Sequence, residues 1–392
     1  MNTRPWYILP AIVMAQLLGT STWFAGNAIL PALQEQWLLP SSAVAGLTNS
    51  IQLGFIVGAL LFGLMALSDR ISPRILFFIC ASGTALFNLL IAFWGSDLAS
   101  LLFLRFCGGL MLAGVYPVGM KIATGWYPEG LGLALGYLVG ALALGTSSGH
   151  LFASFQFENW HFVIYMTSAC ALIGGLIVFF GVPDGPALHK GAPLRFRDML
   201  KAFKHKPLRA SAGGYFGHMW ELYAVLALAP LWLSAWQDLT HVEFNISLWS
   251  FYIIAMGGLG CVIGGYASLL FGSRKVASFM LCCSGVCCLL SPLIFNFSFI
   301  WVILFWTVWG ITVVADSPQF SALSAQTAPK EVIGSALTMI TAIGFTITMV
   351  ATQLTAMLLA VVPVEWVMLL LAPGPVLGLL SLYKLKKIQP DL

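Results

Sequence analysis

Leu61-Phe-Gly-Leu-Met-Ala-Leu-Ser-Asp-Arg-Ile-Ser-Pro-Arg74 closes one long apolar run, crosses a short polar turn and opens the next. About 201 residues later, Val262-Ile-Gly-Gly-Tyr-Ala-Ser-Leu-Leu-Phe-Gly-Ser-Arg-Lys275 does the same. Gly63 returns as Gly264 and Arg74 as Lys275. Further along, Gly109 returns as Gly310, Pro117 as Pro318 and Pro128 as Pro329. Residues with special backbone properties, kept at one spacing over four successive segments, indicate two homologous halves.

Composition says what surrounds those halves. Of 392 residues, 59% are hydrophobic and only 8% charged, where a soluble chain carries about 25% charged residues. Such a chain cannot cover itself with water-compatible surface, so lipid is its solvent. The apolar runs predict twelve spans, at 6–30, 43–67, 75–95, 99–123, 131–153, 161–181, 210–236, 247–271, 276–295, 299–322, 332–360 and 365–385. Each has about 20 or more residues, enough at 1.5 Å per residue to cross a hydrocarbon core of roughly 30 Å. The expected fold class is an all-α integral membrane protein of two pseudo-symmetric six-helix halves. Its expected parts are an N-terminal half (1–182), a cytoplasmic basic linker (183–209) and a C-terminal half (210–392).

Basic residues orient the spans. Arg4, Arg70, Arg74, Lys121, Arg274, Lys275, Lys330, Lys384, Lys386 and Lys387 fall on one side with the linker's Lys190, Arg195, Arg197, Lys201, Lys204, Lys206 and Arg209. The loops on the other side hold Glu35, Asp97, Glu158, Asp238, Glu243 and Glu365, and no Lys or Arg. Positive residues stay in the cytoplasm, so both termini are expected there, in a bacterial inner membrane. The first apolar run is too long for a signal-peptide core and reads as a retained span. In the linker, Arg195 to Lys204 places Phe196, Met199, Leu200 and Phe203 on one face. That suits an amphipathic helix on the inner membrane surface and equally a plain solvated linker.

The eight cysteines, 80, 107, 170, 261, 282, 283, 287 and 288, all lie within spans without a metal-ligand pattern. They read as small packing residues, and no metal or other cofactor is expected. The remaining loops are short. No phosphate-binding GxxxxGK[ST] loop is present, so any work the chain does must draw on a gradient or a partner subunit. A two-half membrane protein of this size is most often a carrier that rocks around a site near its middle.

At this point the residues resemble the major facilitator superfamily, over essentially the whole chain. Ser68-Asp-Arg-Ile-Ser-Pro-Arg74 is similar to that family's loop 2–3 motif, with Asp69, Arg70 and Arg74 in register. Met65 stands where the motif opens with Gly, and the second copy has Ser268 in place of the acid. Arg105-Phe-Cys-Gly-Gly109 resembles its Arg-x-x-x-Gly motif in span 4. In span 5, Gly136, Gly145 and Gly149 match the glycine frame associated with antiporters, but His150 replaces the following proline. The resemblance implies a transporter whose cavity is lined by spans 1, 4, 7 and 10, with Asp69, Arg70 and Arg74 as a cytoplasmic gate. The bland alternative for those three is a topology anchor. Nitrate-type carriers of the family use an Arg in spans 2 and 8, where this chain has none.

Charges inside the spans are few: Arg105, His218, Glu221 and Asp316, with His150 near an edge. Each costs about 2.5–3.5 kcal/mol at mid-bilayer even on the permissive insertion scale. Helical spacing gathers polar groups into stripes. Gln16, Thr20, Trp23 and Asn27 share one face of span 1, and Arg105, Gly109, Leu112 and Tyr116 one face of span 4. His218 and Glu221 share a face of span 7, and Trp309 and Asp316 one of span 10. His218 and Glu221 are three residues apart and expected to exchange a proton. That makes Glu221 the expected proton carrier, His218 its partner and Asp316 a further candidate, with a hinge role equally open to Asp316-Ser-Pro318. The expected substrate contacts are Arg105, Gln16, Thr20, Trp23, Asn27, Gln52, Tyr116, Trp220, Tyr223 and Trp309. Arg105 could instead pair with an acid, and the aromatic residues could simply pack.

The reading that follows is a proton-coupled secondary active transporter of a small organic solute, an organic anion or metabolite, working by alternating access. The alternative is a proton-antiport efflux pump for drugs or metabolites. A membrane receptor would need a signalling domain, and an intramembrane enzyme a nucleophile–base pair or metal cluster; neither is visible. The expected partners are the small-molecule solute, a proton and the lipid bilayer, with no nucleic acid. One chain carries both halves, so a monomer is expected to suffice.

Overall fold

A computed structural model describes residues 5–40, 43–127, 131–155, 159–187, 202–329 and 333–389. Every regular element among them is helical, as lipid requires. Hydrocarbon offers no partner to a backbone N–H or C=O, so each segment must close its own hydrogen bonds. Among the described residues, ten helices are long and apolar enough to cross a membrane. They correspond to the expected spans 2 to 4 and 6 to 12. Span 2 is Ala43–Leu64, span 3 Pro73–Trp94, span 6 His161–Gly181, span 7 Lys206–Thr240, span 8 Ile246–Phe271, span 9 Ser273–Ile294 and span 11 Ile333–Leu358. Span 5 lies on the helix Leu131–Ser154. Pro128, Lys330 and residues 188–201 of the linker fall outside the described residues.

Four expected spans are interrupted. Span 1 is two helices, Ile8–Gly19 and Ala25–Trp37. Span 4 is Leu98–Leu112 and Tyr116–Trp126, and span 10 is Phe299–Ala315 and Ser317–Thr327. Span 12 runs as Val364–Val367, a 3-10 turn Met368–Leu371, and Pro373–Ile388. The breaks in spans 4 and 10 explain one repeat in the sequence. Pro117 and Pro318 both sit in the first turn of the second segment, where a missing N–H costs nothing.

The chain divides into two compact units, Met1–Ala43 with Asn49–Leu194, and Val44–Thr48 with Arg195–Leu392. In the first, span 3 packs along span 6, and span 1 against spans 5 and 6. Asn88 of span 3 ties span 6 by donating to the Ile164 carbonyl, Thr167 Oγ1 and Ser168 Oγ at 3.3, 3.0 and 2.9 Å. Ser21 Oγ donates to the Thr167 carbonyl at 2.8 Å and brings in span 1. In the second unit, span 7 packs against spans 12 and 11, and span 10 against spans 8 and 9. Trp232, Trp306 and Trp309 are fully buried there, with Trp306 stacked on Trp309 at 5.0 Å. Phe203, at the end of the linker stretch expected to lie along the membrane, packs against a buried cluster that includes Leu208, Ala336 and Ile340.

The glycine repeat has a direct cause. A methyl group on Gly109 would overlap the Ile51 carbonyl oxygen of span 2, and one on Gly310 would overlap the Ile253 carbonyl oxygen of span 8. Span 2 meets span 4, and span 8 meets span 10, backbone against backbone. Small residues permit this contact between membrane helices.

Candidate functional site: one buried polar cluster in each unit

In the first unit the polar cluster forms around the break in span 1. The turns between the two helices of span 1 leave carbonyls outside either helix's ladder, and of these the Thr22 carbonyl has only a long backbone bond, from the Ala25 N–H at 3.3 Å. Arg105, only 2% exposed, donates to two of them from span 4. Its Nη1 donates to the Thr22 carbonyl at 2.7 Å and its Nη2 donates to the Trp23 carbonyl. Its flank is crowded, since Gly26 has the Arg105 side chain where a Cβ would be. Thr22 and Thr84 hydroxyls meet at 3.4 Å, and Thr84 Oγ1 donates to the Gly108 carbonyl at 3.0 Å.

The break overturns the expectation that Gln16, Thr20, Trp23 and Asn27 share one continuous helix face. Gln16 is on the first helix and Asn27 on the second, with Thr20 and Trp23 in the turns between. All four are buried nonetheless. Thr20 Oγ1 donates back to the Gln16 carbonyl at 2.8 Å, and Trp23 meets Phe55 of span 2 edge-on at 5.5 Å. Gln16 and Gln52 are fully buried with neither amide atom hydrogen-bonded among the described residues. Tyr116 starts the second helix of span 4, half-buried. His150 is buried 6.4 Å from the ring of Phe24.

The second unit holds the acids. His218, Glu221 and Asp316 are all fully buried. The expected His218–Glu221 pair does not form. His218 Nδ1 lies 2.9 Å from Asp316 Oδ1 of span 10, and its Nε2 lies 2.7 Å from Ser317 Oγ. The first contact is off the line of a directed hydrogen bond, so it is a close approach rather than an aimed donor. Glu221 turns to span 9 instead. Its Oε2 accepts from Ser284 Oγ at 2.8 Å and from Cys288 Sγ at 3.3 Å, and its Oε1 has no partner among the described residues. Trp309 Nε1 donates to Ser284 Oγ at 3.1 Å and completes a chain from span 10 through span 9 to span 7.

Ser284, Cys288 and Ser317 were missed in the sequence. The first two stand four apart on span 9, in line with Ser291, a polar thread in an apolar helix that spacing could have flagged. Cys288 is thus more than filler. Two expected substrate contacts are engaged elsewhere: Trp220 Nε1 donates to the Leu370 carbonyl of span 12 at 3.0 Å, and Tyr223 packs on Phe345 of span 11 at 5.4 Å.

At the loop 2–3 motif, Arg70 ends a short helix, Leu67–Arg70, and is exposed, while Arg74 is half-buried in the first turn of span 3. The Asp69 side chain lies outside the described residues. Two side-chain contacts hold this loop: Lys121 Nζ donates to the Ser68 carbonyl at 2.7 Å, and Ser72 Oγ donates to Asp184 Oδ2 at 2.6 Å. No group of three or more His, Cys, Asp or Glu is arranged for a metal ion among the described residues.

Interrupted apolar helices that carry a few buried ionisable side chains within a bundle of membrane-spanning helices define a multi-pass membrane carrier. The chain belongs to the Major Facilitator Superfamily, whose pattern matches residues 12–268. It is therefore a membrane transporter and not an enzyme. Among solved structures it is similar to a bacterial homologue of the human lysosomal transporter Spinster, in an inward-facing and unoccupied conformation. That match has 13% identity over 98% of this chain and 95% of the other, with a TM-score of 0.70. It is also similar to a mutant of the nucleoside transporter NupG, with 13% identity over 96% and 99% of the two chains and a TM-score of 0.74. A search of curated protein sequences returns no match.

Proposed function

We propose that the chain is a proton-coupled secondary active transporter of a small organic solute, working by alternating access in a bacterial inner membrane with both termini in the cytoplasm. The observation that carries this reading is Glu221. It is a fully buried carboxyl group with one oxygen unpartnered among the described residues, one helical turn from the His218–Asp316 contact. A carboxyl group so placed is stable in lipid only if it is neutralised or paired, and a proton that comes and goes is the simplest neutraliser. Asp316 and His218 supply a second exchangeable position beside it.

Arg105 had favoured an anionic solute. With both terminal nitrogens committed to the Thr22 and Trp23 carbonyls, that support falls away, and the solute is proposed only as small and organic. Efflux by proton antiport keeps one specific support. Gly145 and Gly149 of the span 5 glycine frame lie directly against the span 1 backbone at Leu17 and Ala25.

The test begins with thermal melts of purified protein against organic acids, chelating metabolites, amino acids and cationic drugs, since a ligand of the folded state raises the melting point. The hit then goes into proteoliposomes holding a pH-sensitive dye. Solute entry accompanied by proton movement is expected, and Glu221→Gln should abolish gradient-driven accumulation while sparing exchange. Full accumulation by the variant would sink the proton role. Broad drug tolerance in an expressing strain would move the reading to efflux.

A further inference from the structure

Two residues of the first unit that each carry an orphaned polar atom line the same small cavity. Arg105 uses Nη1 and Nη2 on span 1, and its Nε–H has no hydrogen-bond partner among the described residues. Asn88 spends its Nδ2 on span 6, and its Oδ1 has none either. The orientation of that amide is fixed, because the Ile164 carbonyl can only accept and so must face Nδ2. Both residues line a cavity with Thr22, Thr84, Ile51, Ile91, Leu104 and Gly108. Every lining residue is buried, and the space holds about one water molecule.

We propose that this cavity is a specific water-binding site, and that its water is the third partner of Arg105. The chemistry selects the ligand. The occupant must accept from Nε–H and donate to Asn88 Oδ1, with the Thr22 and Thr84 hydroxyls available as further partners. Water does both. A halide accepts but cannot donate, and would face the Asn88 oxygen with its own negative charge. A cation is repelled by the guanidinium. An apolar occupant leaves a buried donor and a buried acceptor unmet, the costly case in a medium without solvent. The bound water joins span 4 to span 3, and through Arg105 it steadies the carbonyls at the span 1 break. It is a positioning element for that break rather than a contact for the transported solute.

Gly108 supplies a test with opposite signs. A methyl group there would stand 3.6 Å from Thr84 Oγ1, an ordinary contact on the cavity wall. If the cavity is dry, Gly108→Ala fills a void and replaces a helix-interior glycine, and both effects raise the melting point. If it holds water, the methyl displaces it and strands both orphaned groups, so the melting point falls by several degrees. An unchanged or raised melting point overturns the proposal. A second measurement covers a variant that does not fold. The full wild-type chain, crystallised in bromide-containing buffer, should show a single peak within hydrogen-bond distance of Arg105 Nε and Asn88 Oδ1 without anomalous signal. An anomalous bromide peak there, or no peak at all, overturns it equally.

Discussion

His218 Nδ1 stands 2.9 Å from Asp316 Oδ1, so an unbroken helix, Lys206–Thr240, is tied to the very residue at which span 10 is broken. The other ring nitrogen reaches Ser317, the first residue past the break. One imidazole thereby reaches both sides of an interruption that is followed at once by Pro318, which has no N–H to donate back to the preceding helix.

The pair should be energetically coupled. His218→Leu leaves Asp316 buried without its imidazole neighbour, at a cost of about 1–3 kcal/mol for a stranded buried polar group. Asp316→Leu leaves the imidazole with only Ser317. The double variant should be less damaged than the sum of the two, by about 1 kcal/mol or more. Thermal melts of the three variants in one detergent check this. Strict additivity would mean that the contact is incidental.

Gly109 and Gly310 should be intolerant of any side chain, because alanine at either would press its methyl into a facing carbonyl oxygen. Each substitution should cost about 1–3 kcal/mol, the usual range for overpacking, and shows as loss of the monodisperse peak on fluorescence-detected gel filtration. Gly136 is the control. Nothing lies within 4 Å of a Cβ built there, and Gly136→Ala should stabilise its helix by up to about 1 kcal/mol. Equal tolerance at all three positions would refute the backbone contact.

The repeat, the spans and the charged residues were legible because hydropathy and special backbone residues are local signals. Gly109, Gly310, Pro117 and Pro318 each turned out to mark a close approach or a helix break. The pairing of the charges was not legible. His218 and Glu221 share a face, yet one turn of helix is enough to aim one at span 10 and the other at span 9. The break in span 1 was hidden as well, since Thr20 to Phe24 contains neither proline nor glycine. Only its partner, an arginine some 80 residues away, reveals why the freed carbonyls are tolerated. The candidate substrate contacts were read from stripes, which cannot tell that Trp220 is turned to a carbonyl of span 12.

Outside the membrane, Asp97 caps the first helix of span 4, accepting from the Ser100 backbone N–H at 2.7 Å. That bond and the one from the Ser100 side chain hold its carboxyl below the ordinary value of 3.8. A depressed folded-state value means that the cap stabilises above the unfolded value and is lost as pH falls through the folded one. Wild type should therefore melt above Asp97→Ala near neutral pH, with the gap closing below about pH 4. Asp97→Asn, which still accepts the bond, should show no such closing. A gap that persists in acid would assign the stabilisation to something other than this carboxylate.

Arg105 separates a structural from a substrate role. Lysine keeps the charge but has no planar fork, so it cannot span the Thr22 and Trp23 carbonyls as the guanidinium does. Arg105→Lys should lose at least one hydrogen bond from a charged donor, about 1.5–3 kcal/mol, seen as a lower melting point without any solute present. Hydrogen exchange should rise in step across residues 20–24, the turns that the guanidinium holds. Were Arg105 chiefly a solute contact, the ligand-free melting point and the exchange of that segment would stay at wild-type values. Only solute affinity would then change.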